Sequence, residues 1–261
     1  APAMALLGAL AGSMDVAMNA NAVEVERQLG RAIMSSSHGF WSLGGFIGGF
    51  IGSFVIAYWG SGVQALAVSL ISAAVIALAA RHLVADAPHP ATAAAPAAPH
   101  VLFPRDLGLW ILGFMALFSM VPEGAILDWA AIYLNQEMGA DLFRSGLAFA
   151  FFAGTMAVMR FAGDSIRNRF GAVRTLRVSG LISAVAMLGA AAAPNDVIAI
   201  VCFSACGIGI ANMIPILFSA AGNYPGIASG SAMSTVTTVG YAGILVAPST
   251  IGFAADHVGF R

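Results

Sequence analysis

Acidic and amide side chains interrupt runs of the sequence that are otherwise apolar. Asp15 and Asn19 in GSMDVAMNANAVEVERQLGR recur with Glu26 on one helix face. A carboxylate within a membrane helix usually marks a solute or ion path. We therefore predict that Asp15 and Asn19 line a cavity, with hydrogen bonding that only holds helices together as the structural alternative. Glu26, with Glu24 and Arg27, is expected to be solvated or paired near the helix end.

A second pair of acids follows a proline in FSMVPEGAILDWAAIYL. Pro122 removes a backbone donor and loosens the helix directly before Glu123. Asp128 is five positions further, about 140° around the helix, so the two acids do not share a face. A buried carboxylate beside a broken helix suits ion coupling or substrate capture, whereas Asp128 lies beside Trp129 near the expected water interface. Glu123 is therefore the stronger candidate.

Two further polar residues are candidates for the same cavity. Asn212 precedes Pro215 in GIGIANMIPILFSAAG, which predicts a kinked helix and an amide facing the pocket. His38 begins the string HGFWSLGG, either as a pocket donor or as a satisfied side chain.

Glycines in the run after His38 repeat every four residues. Gly44, Gly48 and Gly52 form this row. Small residues at that spacing let helix backbones approach closely in a membrane, so the row predicts helix packing.

The chain contains no Gly-x-Ser-x-Gly elbow, no HExxH and no nucleotide-binding glycine loop. We therefore predict that it is not an enzyme and that it binds no cofactor and no metal.

The composition defines the solvent around these residues. Hydrophobic residues make up 59% of the 261 residues and charged residues 9%, whereas a soluble domain carries about 25% charged residues. Most of the chain is therefore expected in lipid, and the net charge of −1 gives no basic field for nucleic acid.

A helix that spans a membrane needs about 20 apolar residues. The sequence predicts an all-α bundle of eight spans: Pro2–Val23, Ile33–Trp59, Val63–Leu83, Leu107–Leu134, Leu142–Gly163, Val173–Ala193, Val197–Gly222 and Ile227–Ala255.

One connection differs from the short turns between the other spans. Residues 85–104 are rich in proline and alanine and predict a flexible linker. The linker divides the chain into a first part, 1–84, with three spans and a second part, 105–261, with five.

Arginines in the connections indicate the orientation. Eight of them are expected on one side of the membrane, and two, Arg144 and Arg261, on the opposite side. The side with eight arginines is predicted to be cytoplasmic because positive residues accumulate there, and Arg160 is expected to snorkel toward it. The eight are Arg27, Arg31, Arg81, Arg105, Arg167, Arg169, Arg174 and Arg177.

The segment RFAGDSIRNRFGAVRTLR resembles the loop that marks the major facilitator superfamily, a Gly followed by Asp-Arg-x-Gly and further basic residues. In this comparison Gly163 and Gly171 are the glycines and Arg169 is the arginine. Asn168 stands where the family has Asp, and Asp164 is the alternative carboxylate. The longer strings DVAMNANAVEVERQLGR, HGFWSLGG and PEGAILDW resemble the YbjJ-like and fucose-permease-like branch of that superfamily.

The resemblance implies a twelve-helix fold of two six-helix halves, of which these eight spans are the fourth to the eleventh. It also implies that the loop gates the cytoplasmic side. The expected activity is secondary active transport by alternating access in a bacterial inner membrane. The expected partners are a small polar or sugar-like solute, a coupling proton and the lipid bilayer, with the protein acting as a monomer and binding no nucleic acid.

Two alternatives remain open from the sequence. A non-transporting membrane sensor or scaffold would also bind a solute. Efflux of hydrophobic compounds would be favoured by a cavity lined with methionine, for which the candidates are Met14, Met18, Met120 and Met213.

Overall fold

The computed structural model describes residues 2–84 and 104–260, and no strand occurs in these two segments. We refer to them as the first and the second segment. The predicted linker lies outside the described residues except at its last position. The α-helices are α1 (Pro2–Leu29), α2 (Met34–Ala79), α3 (Leu107–Met138), α4 (Leu142–Phe170), α5 (Ala172–Ala191), α6 (Asp196–Ile210), α7 (Met213–Gly222) and α8 (Ser229–Val258).

Most of these helices are long and apolar enough to cross a bilayer. Within the described residues, six stretches meet that condition by length and composition. The prediction of an all-α membrane bundle is therefore confirmed. The six stretches are Tyr58–His82, Leu107–Met138, Arg144–Phe170, Ala172–Ala191, Asp196–Gly222 and Ser229–Val258.

Helix α2 is a hairpin that combines two of the predicted spans. Gly60 has φ 83° and ψ 164°, which is non-helical and accessible mainly to glycine. A Cβ built on Gly52 would lie 3.3 Å from the Gln64 side chain, although twelve residues of straight helix would separate them by about 18 Å. The chain therefore folds back at Gly60, and the limb that precedes the turn comprises residues 34–59.

The predicted kink near Asn212 is confirmed as a break between α6 and α7. Helix α6 ends at Ile210, and Ala211 and Asn212 form a turn before α7 begins. Pro215 lies in the first turn of α7, where a proline is tolerated because the amide groups of that turn have no partner in their own helix.

The helix ends that carry most of the arginines gather at one end of the bundle, which we call the Arg-rich end. The Asn21 side chain donates to the backbone oxygen of Val84 over 2.7 Å, so α1 meets the residues that follow α2 at this end. Asp106, the N-cap of α3, accepts hydrogen bonds from the Tyr224 hydroxyl and the Leu109 amide. These hydrogen bonds hold the pKa of the Asp106 carboxyl below its usual value.

Buried side chains form two apolar clusters. One cluster lies within the second segment, among α3, α4, α5 and α6. The other joins the segments, because Val23 and Met34 pack with Leu217, Phe218 and Val236. The two segments therefore share a core near the Arg-rich end.

Two glycines allow α6 to contact its neighbours through the backbone. A Cβ on Gly207 would lie 2.5 Å from the Phe152 oxygen of α4, and one on Gly209 would lie 2.7 Å from the Ser183 nitrogen of α5. Neither neighbouring atom belongs to a flexible side chain, so the helices would have to separate to admit a methyl group.

We predict that Gly209→Ala lowers the free energy of unfolding by about 1–3 kcal/mol, because overpacking forces the α5 backbone away. Gly154→Ala on α4 is the matched control, since its Cβ meets no atom within 4 Å. That control should gain up to about 1 kcal/mol from helix propensity. Thermal unfolding in detergent measures both changes, and equal midpoints would contradict the packing argument.

Candidate functional site

A chain of polar side chains connects α1 to the first limb of α2. The Asn19 amide nitrogen donates to Asp15 Oδ1 over 3.1 Å, and Asn19 Oδ1 pairs with His38 Nε2 over 3.2 Å. Asn19 is buried, whereas Asp15 and His38 are half-buried. The His38 ring also packs edge-on against Phe218 of α7, so this chain contacts the second segment.

Arg160 corrects the expectation that its side chain snorkels to the interface. The residue is only 6% exposed and its guanidinium lies inside the bundle. Arg160 Nη1 donates to Ser42 Oγ over 2.5 Å, and Nη2 lies 3.7 Å from Glu123 Oε1. The side chain does not snorkel because Arg160 lies ten residues, about 15 Å, before the end of α4 at Phe170. At that depth the guanidinium is too far from the helix end to reach water easily.

Tyr241 of α8 connects the two groups. It interacts electrostatically with both Asp15 and Glu123. Counted along α4, Arg160 lies roughly 15 Å from the Arg-rich end, near the middle of a bilayer core of about 30 Å. Counted along α3, Glu123 lies roughly 24 Å from that end, in the half of the core that is further from it. We call the resulting group the polar cluster; it comprises Asp15, Asn19, His38, Ser42, Glu123, Arg160 and Tyr241.

Asn212 lies beside the polar cluster, at the break between α6 and α7. It is 1% exposed, and its amide nitrogen donates to the Met159 oxygen of α4 over 3.2 Å. Its Oδ1 contacts Gly163, where a Cβ would lie 1.8 Å from that oxygen and 2.8 Å from Ser35 Cβ. Gly163 therefore permits α4, α7 and the start of α2 to meet.

Asp128 is not brought into the polar cluster. It is exposed on α3, in agreement with the position near the water interface that made it a weaker candidate than Glu123.

The four methionines that would favour a hydrophobic solute do not line one cavity. Met120 is buried in the shared core, Met213 packs against the cluster of the second segment, and Met14 and Met18 are exposed on α1.

The glycine row on α2 has only one contact among the described residues. Gly52 meets Gln64, whereas a Cβ on Gly44 or Gly48 would meet no atom within 4 Å. Packing along the whole row stays a prediction.

Glu26 seals the Arg-rich end between the segments. Its carboxylate accepts from Arg167 Nη1 over 3.1 Å and from Ser219 Oγ over 2.5 Å, so α1 is bound to α4 and α7. It also accepts from the amides of Ile33 and Met34 at the start of α2, over 3.0 and 3.1 Å. Removing one partner of such a buried charged pair costs about 3–5 kcal/mol.

Asp164 completes the same helix start from the second segment. Its two carboxylate oxygens accept from the amides of Ser35 and Ser36, over 3.0 and 2.7 Å. Asn168 accepts from the amide of Ala32 over 3.2 Å. The predicted gating loop thus contacts the turn between α1 and α2, and the alternative carboxylate of that loop is the one that binds the helix.

The other members of the predicted loop lie further from this contact. The Arg169 guanidinium lies over the Phe170 ring, 5.5 Å from its centroid. Gly171 has φ 82°, which lets the chain turn from α4 into α5.

Arg27 adds a second connection at this end. Its guanidinium donates to Asn223 Oδ1 over 2.7 Å and to the Gly222 oxygen over 2.5 Å, and it pairs with Glu24 at 3.0 Å. Gly222 itself packs against Val23. We call Glu26, Arg27, Asp164, Arg167 and Ser219, with these partners, the end seal.

Sequence reasoning missed three members of the polar cluster, Ser42, Arg160 and Tyr241, and it did not identify the role of Glu26 in the end seal. Arg160 was detectable, because an arginine ten residues inside a span is itself unusual. Tyr241 carries no such signal in an apolar run. The carboxylate of Glu26 was expected to be solvated or paired, and only the fold shows that its partners come from three other helices.

The chain belongs to the Major Facilitator Superfamily, which matches its residues 2–248. Membership accounts for a bundle of membrane helices with polar residues inside, and it makes the protein a member of a family of membrane transporters.

Individual relatives agree with this assignment. An uncharacterized MFS-type transporter of Yersinia pestis is 36% identical over 97% of the chain and 65% of its own length. The uncharacterized transporter y4wD of Sinorhizobium fredii is 30% identical over 99% of the chain and 68% of its own length. The chain thus spans about two thirds of each of these relatives. A maltose permease of Geobacillus stearothermophilus is 46% identical over a shorter stretch of 61 residues.

We predict that Glu26→Gln opens the Arg-rich end, because the amide loses the charged bond to Arg167 and the bond from Ser219. A cysteine at Val23, which is 0% exposed, reports opening when Cys202 and Cys206 are replaced by alanine. A charged thiol reagent should label Val23→Cys at least about tenfold faster in the Glu26→Gln background.

Glu137→Gln is the control for this labelling. Glu137 accepts from the Phe260 amide at the opposite end of the bundle, so its loss should leave labelling of Val23→Cys unchanged. Equal rates in the Glu26→Gln and reference backgrounds would show that Glu26 does not hold the end closed.

Proposed function

We propose that this protein is a proton-coupled secondary transporter that moves a small polar or sugar-like solute across a bacterial inner membrane by alternating access. The polar cluster is its solute and proton site, and the end seal is its cytoplasmic gate. The single observation that supports this most directly is that Arg160, buried inside the bundle, joins Ser42 of the first segment to Glu123 of the second.

The polar cluster has the chemistry that such a site needs. Ionisable residues in a membrane interior are costly and are retained where they bind solutes or ions. Asp15 Oδ2 is buried, and among the described residues no donor lies within ordinary hydrogen-bond distance of it, although the Tyr241 hydroxyl interacts with this carboxyl. The Glu123 side chain is 30% exposed and holds its arginine at 3.7 Å, beyond hydrogen-bonding distance. Both carboxylates therefore have acceptor capacity for a proton or for solute hydroxyl groups.

The end seal supports alternating access. Glu26, Arg27 and Asp164 each make at least one hydrogen bond that joins the two segments at the Arg-rich end. If this end is cytoplasmic, as the arginine distribution predicts, the seal corresponds to a state closed toward the cytoplasm. Movement of the segments about the polar cluster would break these bonds and expose the site on that side.

Two arguments favour a polar solute over a hydrophobic one. The residues of the polar cluster are two acids, an amide, two hydroxyls, a histidine and an arginine, whereas the candidate methionines lie apart from one another. The shorter match to a maltose permease also favours a sugar-like solute.

Counterflow distinguishes transport from sensing. Vesicles containing the protein are loaded with unlabelled maltose or monosaccharide and diluted into a trace of the labelled sugar. A transporter should accumulate the label transiently, because exchange needs no net driving force, whereas a sensor or scaffold gives none. Ethidium efflux from the same vesicles, without sugar counterflow, would favour transport of hydrophobic compounds instead.

We predict that Glu123→Gln lowers proton-driven uptake more than about tenfold but preserves counterflow, since an amide can still accept solute hydroxyls but cannot take up a proton. Uptake with an imposed pH gradient and counterflow without one measure the two properties in the same vesicles. Asp256→Asn, an exposed acid on α8, is the control and should retain both. Full proton-driven uptake by Glu123→Gln would exclude this carboxylate as the coupling group.

A further inference from the structure

Pro215 leaves the backbone oxygen of Ala211, in the turn between α6 and α7, without its ordinary helical donor. In a continuous helix the amide of residue 215 would donate to the oxygen of Ala211, four residues earlier. Proline has no amide hydrogen, so this bond cannot form. The Arg160 Nε atom of α4 instead lies 3.4 Å from the Ala211 oxygen and donates to it. A side chain from another helix therefore replaces the missing donor.

Helix α4 contacts the break at both of its residues. The Asn212 amide nitrogen donates to the oxygen of Met159, the residue before Arg160. On either side, ordinary helical bonds resume, from Ala211 N to the Gly207 oxygen and from Ile216 N to the Asn212 oxygen, each 3.2 Å. The irregular backbone is thus confined to one turn that α4 covers.

The remaining nitrogens of Arg160 reach two other helices. Nη1 donates to Ser42 on α2, and Nη2 lies 3.7 Å from Glu123 on α3. The long distances to Glu123 and to the Ala211 oxygen show that neither contact is optimal. A small shift of the guanidinium toward one acceptor weakens its bond to the other.

We infer that Arg160 is a positioning residue that fixes the break between α6 and α7 and makes its order depend on Glu123. When Glu123 draws the guanidinium, the Ala211 oxygen is released and the junction loosens. When Glu123 is neutral, Arg160 binds the Ala211 oxygen more closely and the junction becomes more ordered. The consequence for transport rests on the proposed function, in which Glu123 takes up a proton, whereas the link between Arg160 and the junction does not.

Hydrogen–deuterium exchange of residues 207–216 tests this link without a solute, using the full chain in lipid nanodiscs. Arg160→Lys should speed exchange there roughly fivefold, the effect of losing one hydrogen bond, because one ammonium cannot reach Ser42 and the Ala211 oxygen together. Pro215→Ala should slow exchange, because the new amide donates to the Ala211 oxygen. With that donor present, adding Arg160→Lys should have no further effect.

Glu123→Gln is the second, milder variant. It should slow exchange at the junction about twofold or more in the reference chain and leave it unchanged in the Pro215→Ala chain. Pro248→Ala on α8 is the proline control, in which Arg160→Lys should keep its full effect. Exchange in α5 reports global unfolding and should not change.

The outcomes separate the two roles of Arg160. An arginine that acts only as a counter-charge for Glu123 would give equal effects of Arg160→Lys with and without Pro215→Ala, and that result overturns the inference. No effect of either Arg160→Lys or Glu123→Gln on residues 207–216 also overturns it. Failure of every sugar in counterflow would refute the proposed function while leaving these exchange results unaffected.

Discussion

The start of helix α2 imposes the constraint on which the Arg-rich end depends. The first four amides of a helix have no partner within it, and in a membrane protein they must be satisfied by protein or by interfacial water. Here Ile33 and Met34 donate to Glu26, and Ser35 and Ser36 donate to a carboxylate of the second segment. The positive end of the helix dipole strengthens both interactions. One helix terminus thereby holds carboxylates from both segments in a single polar contact.

The sequence predicted the membrane class, the break near Asn212 and the shared helix face of Asp15 and Asn19, because apolar length, proline chemistry and helical periodicity are local properties. Asp15 and Asn19 are one helical turn apart, and their hydrogen bond follows from spacing alone. Arg160 shows where this reasoning fails. Its position suggested snorkelling, but the direction of its side chain depends on acceptors from α2, from α3 and from the turn between α6 and α7, which lie 37 to 118 positions away in the chain.

The turn at Gly60 shows a different limit. The sequence predicted two separate spans, Ile33–Trp59 and Val63–Leu83, with Gly60 and Gly62 between them. The structure forms these spans as the two limbs of one hairpin, with Gly60 as the single non-helical residue within α2. Which of two neighbouring glycines adopts the left-handed conformation depends on packing between the limbs, such as Gln64 on Gly52. The roles of Asn212 and of the glycine row on α2 likewise depend on neighbours rather than on the residues themselves.

Gly163 gives the end seal a steric limit as well as an electrostatic one. A Cβ on Gly163 would clash with the Asn212 amide of its own segment and with the Ser35 side chain of the first segment, so the approach of the start of α2 to α4 depends on the absence of a single methyl group. A two-state protein whose closed form is favoured by a few kcal/mol spends only a small fraction of its time open, and a change of about 1.4 kcal/mol alters that ratio tenfold. A change of side-chain size at position 163 would therefore change the ratio of the closed to the open form without altering any charged residue.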